Sequence, residues 1–167
     1  GPTPMPSRRD ALLGAARVID LVNKIGHTYA PFACATVGML QVYPNSRNII
    51  AGKAVFTIDI RSPHKEVLDE MDARIRAGIE NTAEALDIGF DVEQVGHFDP
   101  VTFDKTLVGN IRAAAKELGY SHRDIVSGAG HDACWINRVA PSAMIMCPCV
   151  DGLSHNEAEE ISKEWAA

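Results

Sequence analysis

The residues best suited to chemistry near the end of the chain lie in the segment G-L-S-H-N-E-A-E, residues 152–159. The apolar run 142–150 precedes it and is typical of a buried strand. Ser154 and Glu157 have capping-box spacing, which predicts a helix with His155 at its first position. A helix N-terminus disfavours a charged imidazole, and the neutral imidazole is the form that binds a metal. These residues alone support a metal-ligand role and a local hydrogen-bonding role for His155 equally.

A second candidate is the segment S-G-A-G-H-D-A, residues 127–133. Its turn consists of Gly128, Ala129 and Gly130. Backbone N–H groups in such a turn can approach an anion, although an ordinary strand-to-helix turn is the better-supported interpretation of the motif by itself. The segment lacks the G-K-[ST] signature of a phosphate loop. No G-x-S-x-G elbow surrounds Ser127, and His131 could equally be a helix cap.

The third candidate combines Asn48, in the turn-rich segment P-N-S-R-N-I-I-A-G, with Arg61 at the end of an alternating strand. A guanidinium group can bind a carboxylate through two parallel hydrogen bonds. Without further information, an exposed arginine and an ordinary turn asparagine are the better-supported interpretations.

The elements that must position these residues form two groups. In the first, Ser7 and Asp10 predict a capped helix that ends at Gly26, and Ser62 predicts the cap of a second helix. The predicted elements are a helix over 8–25, strands over 35–43 and Lys53–Arg61, a helix over 62–86 and a strand over 88–95. This order matches a ferredoxin-like β-α-β-β-α-β sandwich without its first strand, so we expect a chain cut just after that strand.

The second group follows a linker at 97–103. It comprises a helix from Asp104 to Gly119, a strand over 125–130, a helix over 131–137, the strand over 142–150 and a final helix. Alternating helices and strands are typical of an α/β fold. Two strands are too few for such a sheet, so we expect most of this second unit to lie outside the chain.

Composition narrows the class of protein. The chain has 167 residues, of which 46% are hydrophobic and 23% are charged, as in ordinary globular proteins. Its net charge of −6 disfavours a nucleic-acid partner, and no apolar run is long enough to span a membrane. The four cysteines have no C-x-x-C spacing, so we expect core thiols in a reducing compartment, the cytoplasm.

Five separated motifs together resemble a known family. They are G-P-T-P-M-P-S-R-R-D-A-L, P-N-S-R-N-I-I-A-G, D-I-R-S-P, S-G-A-G-H-D-A and G-L-S-H-N-E-A-E. In this order they resemble N-carbamoyl-L-amino-acid hydrolases, a group that includes β-ureidopropionases and allantoate amidohydrolases in the zinc exopeptidase and aminoacylase clan. The resemblance implies hydrolysis of a carbamoyl C–N bond, with β-ureidopropionate and allantoate as alternative substrates.

The resemblance also implies an architecture. Family members have a catalytic domain with two divalent metals (zinc, manganese, cobalt or nickel) and an inserted ferredoxin-like lid through which two subunits dimerise. Residues 1–98 would be the lid without its first strand, and residues 99–167 the C-terminal part of the catalytic domain. The general base and the other metal ligands would lie upstream. We therefore expect no catalytic residue, no activity and no bound metal in this chain alone, which would leave a non-catalytic dimerisation module.

Individual roles follow from matching positions in the family motifs. His155 corresponds to a metal ligand. Asn48 and Arg61 correspond to the lid residues that bind the substrate carboxylate. The turn of Gly128, Ala129 and Gly130 corresponds to backbone donors to the same carboxylate. His131 lies in a matching motif but receives no role.

Overall fold

A computed structural model of the chain describes residues 1–154 and 156–166. The contacts divide the chain into two compact units, Gly1–Pro100 and Val101–Ala167. The mixed α/β character predicted from the sequence is confirmed. The assignment of residues 1–98 to a lid and of 99–167 to a catalytic domain stays a prediction.

The first unit packs two helices against one face of a two-stranded antiparallel sheet. Its elements are α1 (Ala11–Thr28), β1 (Cys34–Tyr43), β2 (Lys53–Arg61) and α2 (Lys65–Leu86), preceded by a 3₁₀ turn at Met5–Ser7. The core consists of Val18, Val22, Ile25, Ala33, Met71, Ile75 and Ile79. Phe56, Ile58 and Ile60 of β2 pack against this core. The predicted alternation in β2 is therefore confirmed, and Asp59 and Arg61 lie on its exposed face.

The ends of α1 differ from the prediction. The carboxylate of Asp10 accepts hydrogen bonds from the N–H groups of Leu12 (3.0 Å) and Leu13 (3.2 Å). Asp10, and not Ser7, is thus the N-cap, because its side chain satisfies two backbone donors that the helix leaves open. Gly26 does not stop the helix: a Cβ there would lie 3.1 Å from the Cβ of Ala35, so this glycine permits close packing of α1 on β1.

The second helix also starts later than predicted, and none of the described residues after it forms a strand. The Ser62 hydroxyl accepts from the His64 N–H at 3.2 Å, and the helix begins only at Lys65. It ends at Leu86, and its C-cap Asp87 has a φ of 51°. The predicted strand over 88–95 is not formed. A strand needs a hydrogen-bonded neighbour, and β1 and β2 form the only sheet among the described residues.

The second unit contains α3 (Lys105–Glu117), α4 (Asp132–Ile136), α5 (Lys163–Ala166) and a 3₁₀ turn at Val150–Gly152. As predicted, Asp104 caps α3, by accepting from the Leu107 N–H at 2.9 Å, and Gly119 follows the helix with φ 73°. The predicted strands over 125–130 and 142–150 have no ladder partner in the part of the chain that the structure describes. Several of their large apolar side chains are exposed, among them Ile125 at 52% and Ile145 at 73%.

The capping-box prediction at Ser154 and Glu157 is wrong over residues 156–162. The side-chain oxygen of Asn156 accepts a hydrogen bond from the Ala158 N–H at 2.9 Å. Such a local turn competes with helix initiation, and regular helix begins only at Lys163. The placement of His155 at a first helical position lies outside the described residues.

Two further observations concern the whole chain. All four cysteines are free, and none is buried, so their expected place in the core is wrong. None of the helices in the described residues combines the length and the apolar character that crossing a bilayer requires.

Candidate functional site

Arg61, the last residue of β2, already binds a carboxylate in this structure. Its Nε donates to Asp59 Oδ1 at 2.7 Å and its Nη2 donates to Asp59 Oδ2 at 3.0 Å. The two side chains are 52% and 55% exposed. This two-point geometry is what a guanidinium offers any carboxylate, and a pair so exposed contributes at most about 1 kcal/mol to stability.

The ion pair shifts both titrations in the direction expected for opposite charges. The hydrogen bond from Arg61 lowers the pKa of Asp59, and the same hydrogen bond raises the pKa of Arg61. A carboxyl group whose pKa is lower in the folded chain than in the unfolded chain stabilises the fold at neutral pH. That contribution is lost in acid, as the pH falls through the lowered pKa.

Asn48 lies in the connection between β1 and β2, at the other end of the hairpin. Its backbone carbonyl accepts from the amino group of Gly1, and its side-chain oxygen accepts from the Ser46 hydroxyl at 3.3 Å. Eight residue steps along β2 separate the two ends of the strand, a distance of about 26 Å.

The length of α1 gives a second estimate of the distance between the two ends of the hairpin. The Ala11 N–H binds the carbonyl of Ala51, beside the connection. At the other end of α1, Gly26 packs on Ala35, whose strand partner is Ile60. The fifteen residue steps of helix between these contacts span about 22 Å. Within one chain, the structure thus does not bring Asn48 and Arg61 together.

The turn in the second unit is organised by the Ser127 hydroxyl. It accepts from the Ala129 N–H at 3.2 Å, donates to the Ala129 carbonyl at 3.2 Å, and lies 2.8 Å from Nε2 of His131. His131 occupies the N-cap position of α4 but makes no side-chain cap. The Ala129 N–H is therefore already engaged, whereas the described residues show no hydrogen bond for the Gly130 N–H.

The two glycines of the turn leave space around its backbone. A Cβ added at Gly128 or Gly130 would have no neighbour within 4 Å, and neither residue has a positive φ. Glycine is therefore not required for the backbone conformation at either position. The room beside the Gly130 N–H is what a bound group would need.

No metal centre is assembled by the part of the chain that the structure describes. Within 1–154 and 156–166, no group of three or more histidine, cysteine, aspartate or glutamate side chains could hold an ion. The predicted ligand His155 lies outside those residues, so its role stays a prediction.

Two side-chain contacts at these positions were not predicted from the sequence, the Asp59–Arg61 ion pair and the Ser127–His131 hydrogen bond. Asp59 is two residues before Arg61 on an alternating strand, a spacing that puts both side chains on one face. Ser127 and His131 are separated by a glycine-rich turn, which lets the two side chains approach. Both signals were present, but each is a spacing of only two polar residues and is common by chance.

Comparison with known proteins identifies the family. Residues 11–167 match the model of peptidase family M20/M25/M40. The chain is 56% identical, over all 167 residues, to an N-carbamoyl-L-amino-acid amidohydrolase of Rhizobium meliloti, and covers 40% of that protein. It is 32% identical over 160 residues to the allantoate amidohydrolase of Escherichia coli, covering 95% of this chain and 39% of that protein.

A solved structure has the same fold. It is the crystal structure of an amidase of the hydantoinase/carbamoylase family from Burkholderia multivorans, with a TM-score of 0.93 and 57% identity over 99% of this chain and 40% of that one. The chain thus spans about 40% of the length of the relatives described here. The resemblance drawn from the five motifs is confirmed, and the chain belongs to peptidase family M20/M25/M40.

Proposed function

We propose that the whole protein hydrolyses the carbamoyl C–N bond of N-carbamoyl-L-amino acids, releasing the amino acid, ammonia and carbon dioxide. The observation that carries this proposal is the 56% identity, over every residue of the chain, to a relative named for that activity. The identity to an allantoate amidohydrolase is lower, at 32%. Allantoate and β-ureidopropionate are therefore the alternative substrates.

Arg61 is the proposed ligand of the substrate carboxylate. The support is chemical: its guanidinium binds the Asp59 carboxylate through two hydrogen bonds, on a strand face that is open to solvent. A weak surface pair is readily rearranged when a second carboxylate arrives. The substrate carboxylate would either replace Asp59 or bind another edge of the same guanidinium.

Asn48 is the second proposed carboxylate ligand, and its position gives the proposal a quaternary consequence. One carboxylate cannot contact Asn48 and Arg61 of the same chain if they are more than about 20 Å apart. We therefore assign the two contacts to two subunits of a homodimer formed through residues 1–98. Each site would use Arg61 of one subunit and Asn48 of the partner subunit, as the two-fold symmetry of a dimer permits.

The turn of Gly128, Ala129 and Gly130 is proposed to donate backbone hydrogen bonds to the same carboxylate. The Gly130 N–H is the best-supported donor of the three, because the Ala129 N–H is engaged by Ser127. The open space at both glycines would let a substrate approach the backbone closely.

A pair of divalent metals, zinc, manganese, cobalt or nickel, is proposed for the whole protein, with His155 as one ligand. When bound, such a centre would supply a hydroxide at neutral pH and would polarise the scissile carbonyl. The described residues of this chain do not by themselves fit a metal centre. We accordingly propose that the 167-residue chain alone is inactive and that the remaining metal ligands lie in the rest of the protein. The whole protein is proposed to be cytoplasmic.

The proposal is tested by measuring ammonia release by the whole protein with N-carbamoyl-L-amino acids, their D-enantiomers, β-ureidopropionate and allantoate. We expect the highest kcat/KM for an N-carbamoyl-L-amino acid and little turnover of its D-enantiomer. A higher kcat/KM for allantoate or β-ureidopropionate would replace the proposed substrate. Turnover by the 167-residue chain with added metal would contradict the assignment of that piece as a non-catalytic dimerisation module.

A further inference from the structure

The Ser127 hydroxyl has three polar neighbours, and counting protons assigns the direction of each bond. A hydroxyl has one proton to donate and two lone pairs to accept. The Ala129 N–H can only donate, so it occupies one lone pair. The Ala129 carbonyl can only accept, so it takes the single hydroxyl proton.

If both hydrogen bonds to Ala129 are kept, the contact with His131 runs from the ring to the hydroxyl. Nε2 of His131 lies 2.8 Å from Ser127 Oγ, and the second lone pair is the only bonding capacity left on that oxygen. In that assignment the neutral imidazole carries its proton on Nε2 and a lone pair on Nδ1. The opposite tautomer would need the same hydroxyl proton and would leave the Ala129 carbonyl without its partner.

We propose that Ser127 is a positioning residue that holds His131 in the Nε2–H tautomer and so makes Nδ1 a hydrogen-bond acceptor. Both side chains are partly buried, and the described residues provide no hydrogen bond to Nδ1. In the proposed arrangement Ser127 is not a nucleophile activated by His131, since the ring donates to the hydroxyl and does not take its proton.

The consequence for substrate recognition rests on the function proposed above. An N-carbamoyl amino acid carries its ureido N–H on the carbon next to the carboxylate. A turn that offers the Gly130 N–H to the carboxylate and a bare Nδ1 to the ureido N–H complements both groups at once. The inferred specificity is for ligands with an N–H donor beside a carboxylate.

The test is the ¹⁵N NMR spectrum of the imidazoles in the 167-residue chain, recorded in alkaline buffer where histidine is neutral. Protonated and bare ring nitrogens resonate at well-separated frequencies, so each tautomer is identified directly. His131 is assigned by comparison with the His131→Gln variant. We expect the Nε2–H tautomer for His131, and finding the Nδ1–H tautomer would overturn the inference.

His122 provides an internal reference in the same spectrum. Its Nδ1 lies 3.0 Å from the Tyr120 carbonyl, which can only accept, so His122 is expected as the Nδ1–H tautomer. The two histidines should thus give opposite patterns.

Variants at Ser127 distinguish the effect of its hydroxyl on the His131 tautomer from a general effect on the fold. Ser127→Ala is expected to give His131 as a mixture of tautomers, whereas Ser127→Thr keeps a hydroxyl and should keep the Nε2–H form. Ser121→Ala, which also removes a serine hydroxyl from the same unit, should leave His131 unchanged. An unchanged His131 tautomer in Ser127→Ala would contradict the positioning role.

Kinetics of the whole protein test the substrate consequence separately. Losing one such hydrogen bond is expected to lower kcat/KM for N-carbamoyl-L-amino acids about three- to tenfold in Ser127→Ala, with recovery in Ser127→Thr. Wild-type kinetics in Ser127→Ala would refute the substrate role of Nδ1. If the whole protein hydrolyses no N-carbamoyl amino acid, the proposed function fails, while the NMR result still decides the tautomer.

Discussion

At the scale of single residues, Arg61 is the residue whose observed contact most closely resembles its proposed role in substrate binding. Its guanidinium binds one carboxylate already, and the proposal asks it to bind a second, from the substrate. Asp59 and Ser127 contact the groups that are proposed to bind the ligand, Asp59 through an ion pair with Arg61 and Ser127 through a hydrogen bond with His131.

Arg61→Ala in the whole protein is expected to raise KM for N-carbamoyl-L-amino acids while kcat changes little. A charge-assisted hydrogen bond contributes roughly 1.5–3 kcal/mol, so kcat/KM should fall about 10- to 100-fold. Arg76→Ala is the matched control, because Arg76 also forms an ion pair, with Asp72 at 2.8 Å on α2, at a partly buried position. Unchanged kcat/KM in Arg61→Ala would remove this residue from the substrate site.

The pKa of Asp59 provides a test that needs no activity. The pKa of an unperturbed aspartate is about 3.9. Because the hydrogen bond from Arg61 lowers the pKa of Asp59, the carboxyl ¹³C resonance of Asp59 should titrate with a midpoint below that value. In Arg61→Ala the midpoint should rise, and in Arg76→Ala it should not move. A wild-type midpoint at or above the usual range would show that the ion pair does not form in solution.

At the scale of elements, close packing of α1 and α2 depends on a glycine. A Cβ at Gly78 would lie 1.9 Å from Cδ2 of Leu21, a side chain that packs on the core. Alanine favours helix by about 1 kcal/mol relative to glycine, but forcing Leu21 out of its place costs about 1–3 kcal/mol. Packing should therefore outweigh helix propensity at this position.

A double-mutant cycle measures that balance through the free energy of unfolding in urea. Gly78→Ala alone is expected to destabilise the first unit by about 1 kcal/mol. In a Leu21→Ala background, the same substitution meets no obstacle and should stabilise by about 1 kcal/mol. An equal effect of Gly78→Ala in both backgrounds would show that the two residues are not in contact.

Sequence patterns predicted the elements that depend on interactions between residues close together in the chain. The alternation in β2 and the aspartate cap of α3 are visible in sequence, because each depends on side chains within a few residues. The strands predicted over 88–95, 125–130 and 142–150 failed because pairing is non-local. The helix predicted at Ser154 failed because the Asn156 side chain satisfies the backbone differently.

For the candidate site too, the features that depend on local sequence were predicted, and those that depend on the three-dimensional structure were not. Arg61 was placed correctly at a strand end on an open face, since both properties follow from the two-residue period of β2. The distance between Asn48 and Arg61 could not be predicted from the motifs, because it depends on how the hairpin and α1 extend in space. The bond between Ser127 and His131 required the geometry of the turn.

At the scale of the whole molecule, the chain supplies parts of a larger protein's proposed site. It spans about 40% of the length of its described relatives, and its second unit leaves apolar residues such as Ile125 and Val126 exposed. We expect the rest of the protein to cover these side chains. The first unit contributes Asn48 and Arg61 from opposite ends of one hairpin, which leads to the proposal of a site shared between two subunits.

The most direct test of that proposal is complementation between two variants of the whole protein with strongly reduced kcat/KM, assayed at a substrate concentration far below KM. Asn48→Ala and Arg61→Ala are each purified, then mixed under conditions of subunit exchange, and ammonia release is measured. In a mixed dimer, one site combines Arg61 of the first chain with Asn48 of the partner subunit and is intact, while the other site lacks both. We predict recovery to about one quarter of wild-type activity, because half of the dimers are mixed and each has one intact site. If the mixture is no more active than the separate variants although mixed dimers have formed, the shared carboxylate site is contradicted.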